Sequence, residues 1–467
     1  MPNQDPTAVG TPDRARMGTK ARIAIVAAFI MLCIIIWMLV SALTARPAPD
    51  TTVRDRMAEL TNSVQPDPNA PSRYEDLKSA LAQFEAALDA IAVDLRTESE
   101  ATENNSSPQW DINFHAVREG PPAGDPHPDR TLENARRALA ALEQRAELDS
   151  ITRLLRSPNL SHQYGSHDSS SEAYVPITSW LFEELSPFRR YVHAQVARAR
   201  LASEAGDHQR ASEILLEASP VPGVLTRQAF LVEQLVGNAC ATTLLEELNH
   251  LARQPGLETA TLETMREVHR RLSDLGDITH SIRGERLFIE DIHYATHTAG
   301  GRFIPSAADT LLSSDTPDQP RSTLTRLGDV TGYLFARREA SLRKADELYG
   351  QVEDALQEPD PATRDRLFAE IDAASDRLST RYMLLQYIMP AISRASRNSL
   401  EVRAKLAHSE VLLAMAQHHA ATGDWPTSLD QLIPHYLDAI PINPLTGKPF
   451  EFNHTPGEPP SLERLGL

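Results

Sequence analysis

Val196 to Ser219 reads VARARLASEAGDHQRASEILLEAS, and this stretch decides the fold class. Gly206 is suited to the left-handed turn that closes one helix, and Asp207 to the cap that opens the next. Ala211, Leu215 and Ala218 then recur at helical spacing and face the first helix as small and large packing partners. The stretch predicts two antiparallel helices joined at Gly206-Asp207. From Pro176 to about His297 the helical pattern continues on both sides. Cys240, within LVGNACATTLLEEL, is expected as a small core residue.

Toward the N-terminus, Leu77, Leu81, Phe84, Leu88, Ile91 and Leu95 predict an amphipathic helix over Arg73–Thr97. Asn104–Pro128 is rich in Pro, Gly, Ser and Asn and reads as a loop. Another helix is expected from about Asp129 to Arg156, ending before Ser157-Pro158, and the polar run SHQYGSHDSSSE follows it. Toward the C-terminus, Gly300–Thr323 contains SSDTPDQPRS and reads as a surface linker. Helices are expected over Asp329–Gln357, Ala362–Met389 and, beyond Pro390, Ala391–Ala421. No period-two alternation precedes Pro441, so the fold class is mainly α.

At 467 residues the chain is long enough for two or three folded units, at roughly 150 residues each. Its net charge of −18 argues against nucleic acid as a partner. Five of its basic residues are lysines and the other 41 arginines, spread among acids on helix faces and not gathered to match phosphate. Ile23–Leu43, IAIVAAFIMLCIIIWMLVSAL, carries no charge and would span about 31 Å as a helix, enough for one transmembrane crossing. Arg14, Arg16, Lys20 and Arg22 precede it, and the positive-inside rule then places the tail in the cytoplasm and the bulk of the chain outside it. The expected setting is the inner membrane of a bacterium, with the span as an uncleaved anchor. The alternative is a cleaved signal peptide, which an apolar run of this length disfavours. With Cys33 inside the span, Cys240 has no partner for an intramolecular disulfide.

The expected organisation is a tail (1–22), a transmembrane helix (23–43), a juxtamembrane helix with loops (44–128) and a helical domain (129–298). A linker (299–326), long helices (327–422) and a C-terminal module (423–467) complete it.

Two segments resemble known families. The Val196–Ser219 hairpin looks like one tetratricopeptide-type unit, since Gly206, Ala211 and Ala218 fall where that repeat has its turn glycine and second-helix alanines. Leu215 replaces the usual aromatic and no second copy appears, so an αα-hairpin within an irregular helical domain is the preferred reading. The second segment is Ser409–Asn453. There a helix stops at Gly423 and Trp425-Pro426 forms an apolar anchor. Thr427 is expected to cap a short helix carrying Leu429 and Leu432. Pro441 and Pro444 set turns, Gly447 takes positive φ, and Phe450 and Phe452 share one face of a short strand. This order resembles the C-terminal half of type II secretion pseudopilins of the G-type class, over roughly the last 60 residues. The resemblance implies a small α+β cap and a setting near secretion or envelope assembly. It departs from that family in two ways. Ile23–Leu43 lacks the family's early glutamate and leader, and Asn443 stands where the family's calcium-binding acid would be, so calcium is not expected.

For chemistry, Glu247/His250 and Glu290/His293 form Glu-x-x-His pairs, with His297 on the same helix face as the second. Such pairs occur in di-iron bundles, but about two are expected by chance at this composition, so solvated helix faces are the simpler reading. His418-His419 suits a helix C-terminus, and Ser341-x-x-Lys344 lacks the companion motifs of penicillin-recognising enzymes. No cofactor is expected. Three functions are weighed: an anchored extracytoplasmic scaffold that engages a protein partner, a metal-dependent enzyme built on the Glu-x-x-His residues, and a self-associating envelope spacer.

Overall fold

The computed structural model describes residues 19–50, 52–100, 112–121, 123, 125, 128–162, 164, 182–312, 328–453 and 461–462. The chain is mainly helical, as the periodicity predicts. Packing divides it into two units: 1–48 with 295–338, and 49–294 with 339–467.

In the smaller unit α1 spans Thr19–Leu43. Side-chain description begins at Ile30, so Ile23–Phe29 of the expected span lies outside it, as does the tail 1–18. Among the described residues no helix is long and apolar enough to cross a membrane. The foot of α1 is held through its unpaired carbonyls, which every helix end leaves open. Arg302 donates to the Ser41 carbonyl at 2.9 Å and to the Asp329 carbonyl at 2.9 Å. The Tyr333 hydroxyl meets Ser41 Oγ at 3.2 Å, and its ring lies 6.0 Å from that of Trp37. Asp329 in turn accepts from the amide and hydroxyl of Ser306, both at 2.8 Å. The expected linker 299–326 is corrected where it is described. Residues 299–312 bury Phe303 and Ile304 and carry the helix Pro305–Leu312, because Arg302 and Asp329 tie this segment to its neighbours. Residues 313–326 lie outside the described residues.

The larger unit holds most of the helices. They include α2 (Thr52–Ser63), α3 (Tyr74–Glu100), α4 (His115–Glu119), α5 (Pro128–Glu143), α6 (Glu147–Leu154), α7 (Leu185–Glu204), α8 (His208–Ala218), α9 (Pro220–Thr226), α10 (Leu231–Leu251) and α11 (Thr259–Ser273). The apolar stripe read on α3 is buried, with Leu77, Leu81, Phe84, Leu88, Ile91 and Leu95 all in one core. The α7–α8 turn forms as expected. Gly206 has φ +82°, and Asp207 accepts from the Arg210 amide at 2.9 Å. Ala211, Leu215 and Ala218 are buried, and so is Cys240. A second core gathers α12 (Ile278–Thr296), α14 (Arg338–Gln357), α15 (Pro361–Asp376) and the first part of α16 (Met383–Thr422), α13 being Pro305–Leu312 of the smaller unit.

Several local expectations change. The helix expected over Asp329–Gln357 is a 3-10 turn, Asp329–Leu334, a break at Phe335–Arg337 and then α14, and the one expected over Ala362–Met389 is broken between Arg377 and Tyr382, where α15 ends before α16 begins. The helix expected over Asp129–Arg156 breaks into α5 and α6 at Gln144–Ala146, so that Leu148 and Ile151 can turn into the core. A short helix, α4, buries Ala116 and Val117 within the expected loop 104–128. Pro390 does not divide the last long helix: α16 runs through it for 40 residues, because burial of Met389 and Ile392 outweighs one lost backbone bond.

One close approach governs the middle of this unit. An added Cβ on Gly284 would lie 1.9 Å from the Ala229 carbonyl oxygen, so α12 reaches the start of α10 only because Gly284 has no side chain. Gly284→Ala is expected to destabilise the protein by about 1–3 kcal/mol or more, read as a lowered urea midpoint at unchanged slope.

Candidate functional site

The sequence-predicted candidates are not brought together. Glu247 is buried and receives both arms of Arg200, at 2.8 and 2.7 Å, as a bidentate ion pair. His250 is half-buried beside Gln254 Nε2 at 3.1 Å. Glu290 pairs with Arg56 at 2.9 Å. His293 is fully buried. Its Nδ1–H donates to the Ile289 carbonyl at 2.7 Å, which leaves Nε2 to accept from Ser341 Oγ at 2.6 Å. That bond also accounts for Ser341 without a catalytic role, since a buried hydroxyl requires a partner. His297 is buried against the Phe303 ring, with centroids 5.2 Å apart. None of the five belongs to a cluster able to hold a metal ion among the described residues.

The C-terminal cap packs on residues 407–415 of α16. Gly423 closes that helix at φ +80°, and its amide reaches the His419 carbonyl at 2.8 Å. Trp425 lies flat on His419, with centroids 4.2 Å apart and planes at 5°, and Pro426 is buried. Leu429, Leu432, Leu437 and Phe450 form a small core with Val411 and Met415, and Phe452 is packed against it. The cap of the short turn is corrected. Ser428 and not Thr427 precedes the 3-10 turn Leu429–Leu432, while the Thr427 amide donates to Gln431 Oε1 at 2.8 Å. Asn443 organises the next turn, where its Oδ1 accepts from the Leu445 amide at 2.9 Å and its carbonyl from Gly447 at 2.8 Å. Gly447 has φ +68°, and Pro444 receives Arg364 on its carbonyl. Two antiparallel pairs of short strands complete the cap, β1 (Ile442–Asn443) with β2 (Lys448–Pro449) and β3 (Phe452–Asn453) with β4 (Ser461–Leu462), and the single strand expected to carry Phe450 and Phe452 is corrected, since Phe450 lies between β2 and β3.

A different cluster, which no local motif announces, is assembled in the core of the larger unit. His162 follows α6, Glu184 directly precedes α7, and Glu233 lies in the first turn of α10. Their nitrogen and carboxylate atoms all fall within 4.8 Å of one another. His162 Nδ1 lies 3.3 Å from Glu233 Oε1 and 3.8 Å from Glu184 Oε1, and both carboxylate side chains are fully buried. The Tyr164 hydroxyl donates to Glu233 Oε2 at 2.6 Å, and the Phe230 amide donates to the same oxygen at 3.1 Å. The Tyr74 hydroxyl donates to Glu184 Oε1 at 3.3 Å. The His162 ring lies between those of Tyr74 and Tyr164, with centroids 4.7 and 4.3 Å away. Phe182 and Phe230 extend this aromatic wall.

Burial decides the electrostatics. It raises the Glu233 carboxyl above its ordinary value, against the pull of His162, and it lifts the Tyr74 and Tyr164 phenols well above theirs, so both remain donors. Glu285 on α12 accepts from the Leu231 amide at 3.0 Å, and burial pushes its carboxyl up to about 7. Histidine, two carboxylates and two phenols together offer nitrogen and oxygen donors and a hydrogen-bonded frame that fixes them.

Comparison with known protein families, curated proteins and solved structures finds no match for this chain.

Glu285 provides a pH test. Its folded-state value lies above the ordinary carboxyl value of 4.5, so the native state holds the proton longer than the unfolded chain, and this group's contribution to stability falls as pH rises from about 4.5 to 7. Glu285→Gln keeps the acceptor oxygen for Leu231 and removes that titration. Relative to wild type the variant is expected to gain stability with rising pH, by an amount on the order of 3 kcal/mol that levels off above pH 7. Parallel urea titrations from pH 4.5 to 8 measure the difference, and a constant gap would refute it.

Proposed function

We propose that the chain is a membrane-anchored helical scaffold that holds its larger unit outside the bacterial cytoplasm and engages a protein partner through the C-terminal cap. One observation carries the anchor. From Ile30 to Val40 the large apolar side chains of α1 other than the half-buried Met38 are exposed, with Met31 and Trp37 each 62% accessible. An exposed apolar helix surface of that kind is unfavourable in water and is satisfied by lipid. Tyr333, exposed beside Trp37, and Arg302 at the foot of the helix provide the aromatic and basic residues that favour a membrane–water boundary. The charge-free sequence Ile23–Leu43 supports a single span, and the four basic residues before it support a cytoplasmic N-terminus. The likeness of Gly423–Phe452 to the pseudopilin tail supports a setting in secretion or envelope assembly. A second copy of the chain is the competing partner, and cross-linking separates the two.

The full-length chain is expected to stay with membranes through alkaline carbonate extraction, and a form beginning at residue 45 is expected to be released. Carbonate-soluble full-length protein would rule out the anchor. Protease added to spheroplasts is expected to degrade a C-terminal tag, whereas protection of that tag reverses the orientation. In-cell cross-linking is expected to give an adduct with another protein that Trp425→Ala weakens. An adduct only with a second copy favours the spacer.

A further inference from the structure

We propose that His162, Glu184 and Glu233 bind one divalent first-row transition-metal ion, which clasps the chain after α6, the start of α7 and the start of α10 in the core. The spacing is that of a ligand set. Ligand atoms bound at about 2.1 Å around a tetrahedral ion stand about 3.4 Å apart, and His162 Nδ1 is 3.3 Å from Glu233 Oε1 and 3.8 Å from Glu184 Oε1.

The surrounding hydrogen bonds orient these atoms as metal sites require. Tyr164 and the Phe230 amide both occupy Glu233 Oε2, which turns Oε1 toward the imidazole. Tyr74 occupies Glu184 Oε1, and Glu184 Oε2 is buried without a hydrogen-bond partner. That oxygen accepts no hydrogen bond and has only the 3.6 Å ion pair with Lys78, so a cation seated closer, among the three ligand groups, would satisfy a buried carboxylate better. Glu184 also stands at the N-cap of α7 without capping it, so its side chain is directed to the cluster in place of the helix amides beside it. Lys78 Nζ is the neighbouring cation, 3.6 Å from Glu184 Oε2, beyond hydrogen-bonding distance and with its side chain a third exposed. With His162 as the neutral imidazole that carries its proton on Nε2 and offers the Nδ1 lone pair, two carboxylates against a dication leave the cluster neutral in the core. The imidazole donor selects zinc, manganese, ferrous or cobaltous ions over calcium and magnesium, which take oxygen ligands. Three protein ligands leave the fourth position of a tetrahedral ion to a water molecule.

The test uses the full-length chain in detergent, stripped with chelator and titrated with zinc alone or cobalt alone. One equivalent of zinc is expected, resistant to a large excess of magnesium and accompanied by a raised thermal midpoint. Cobalt is expected to give a visible absorption band characteristic of nitrogen and oxygen ligands. Glu184→Gln and His162→Gln, checked for native helicity by circular dichroism, are expected to lose zinc and the thermal shift together, while Lys78→Met keeps both. Three results would overturn the assignment: wild type that retains less than about a tenth of an equivalent of zinc, magnesium that competes on equal terms, or folded variants that bind like wild type. The cobalt spectrum of the wild type decides the matter even if the variants do not fold. The test reads neither membrane attachment nor partner binding, so its failure leaves the scaffold proposal untouched.

Discussion

The start of α10 is buried, and much of the larger unit is arranged to make that burial tolerable. A helix N-terminus presents amides without intrahelical partners, and in a dry interior each needs an acceptor. Glu233 reaches back to the Phe230 amide, and Glu285 comes from α12 to the Leu231 amide. Two acids placed there are themselves costly, which burial expresses by raising both carboxyls. Tyr164 and His162 then compensate Glu233, while Tyr74 donates to the Glu184 next to it. The absent side chain at Gly284 lets α12 come close enough to the Ala229 carbonyl for Glu285 to act.

The smaller unit shows the same dependence at a helix C-terminus. Arg302 satisfies the Ser41 carbonyl and also the Asp329 carbonyl, so one side chain joins the foot of α1, the segment before α13 and the 3-10 turn that bears Tyr333. Composition read the stretch as a linker because the run SSDTPDQPRS, which begins at Ser313, dominates it. The portion up to Leu312 is packed, since Ile304 and Ala307 are buried there. Local polarity reports where water is expected, and a single long arginine can overrule it.

Legibility followed the range of the interactions. The α7–α8 hairpin was readable because its turn glycine, its cap and its packing alanines all lie within Val196–Ser219 and act on one another through helical geometry. The Gly423 stop and the Asn443–Gly447 turn were readable for the same reason. Pro390 misled because a proline's local penalty is modest against the burial of neighbours such as Met389 and Ile392, and that burial is set by distant helices. The Glu-x-x-His pairs misled in the opposite sense. Their spacing is local, but Arg200, Arg56 and Ser341, which engage Glu247, Glu290 and His293, come from other helices.

By itself the sequence determined that the protein is mainly helical, where its amphipathic faces and principal turns lie, and that one charge-free apolar segment precedes an acidic remainder. These are consequences of periodicity, chain stiffness at Gly and Pro, and the solvation of charge, all of which act between near neighbours. Only the tertiary structure decided that His162, Glu184 and Glu233, distant in the chain and part of no motif, converge on one buried point. Convergence of that kind depends on how α3, α7, α10 and α12 pack, and packing is settled by the burial of apolar surface over the whole core, not by the spacing of any few residues.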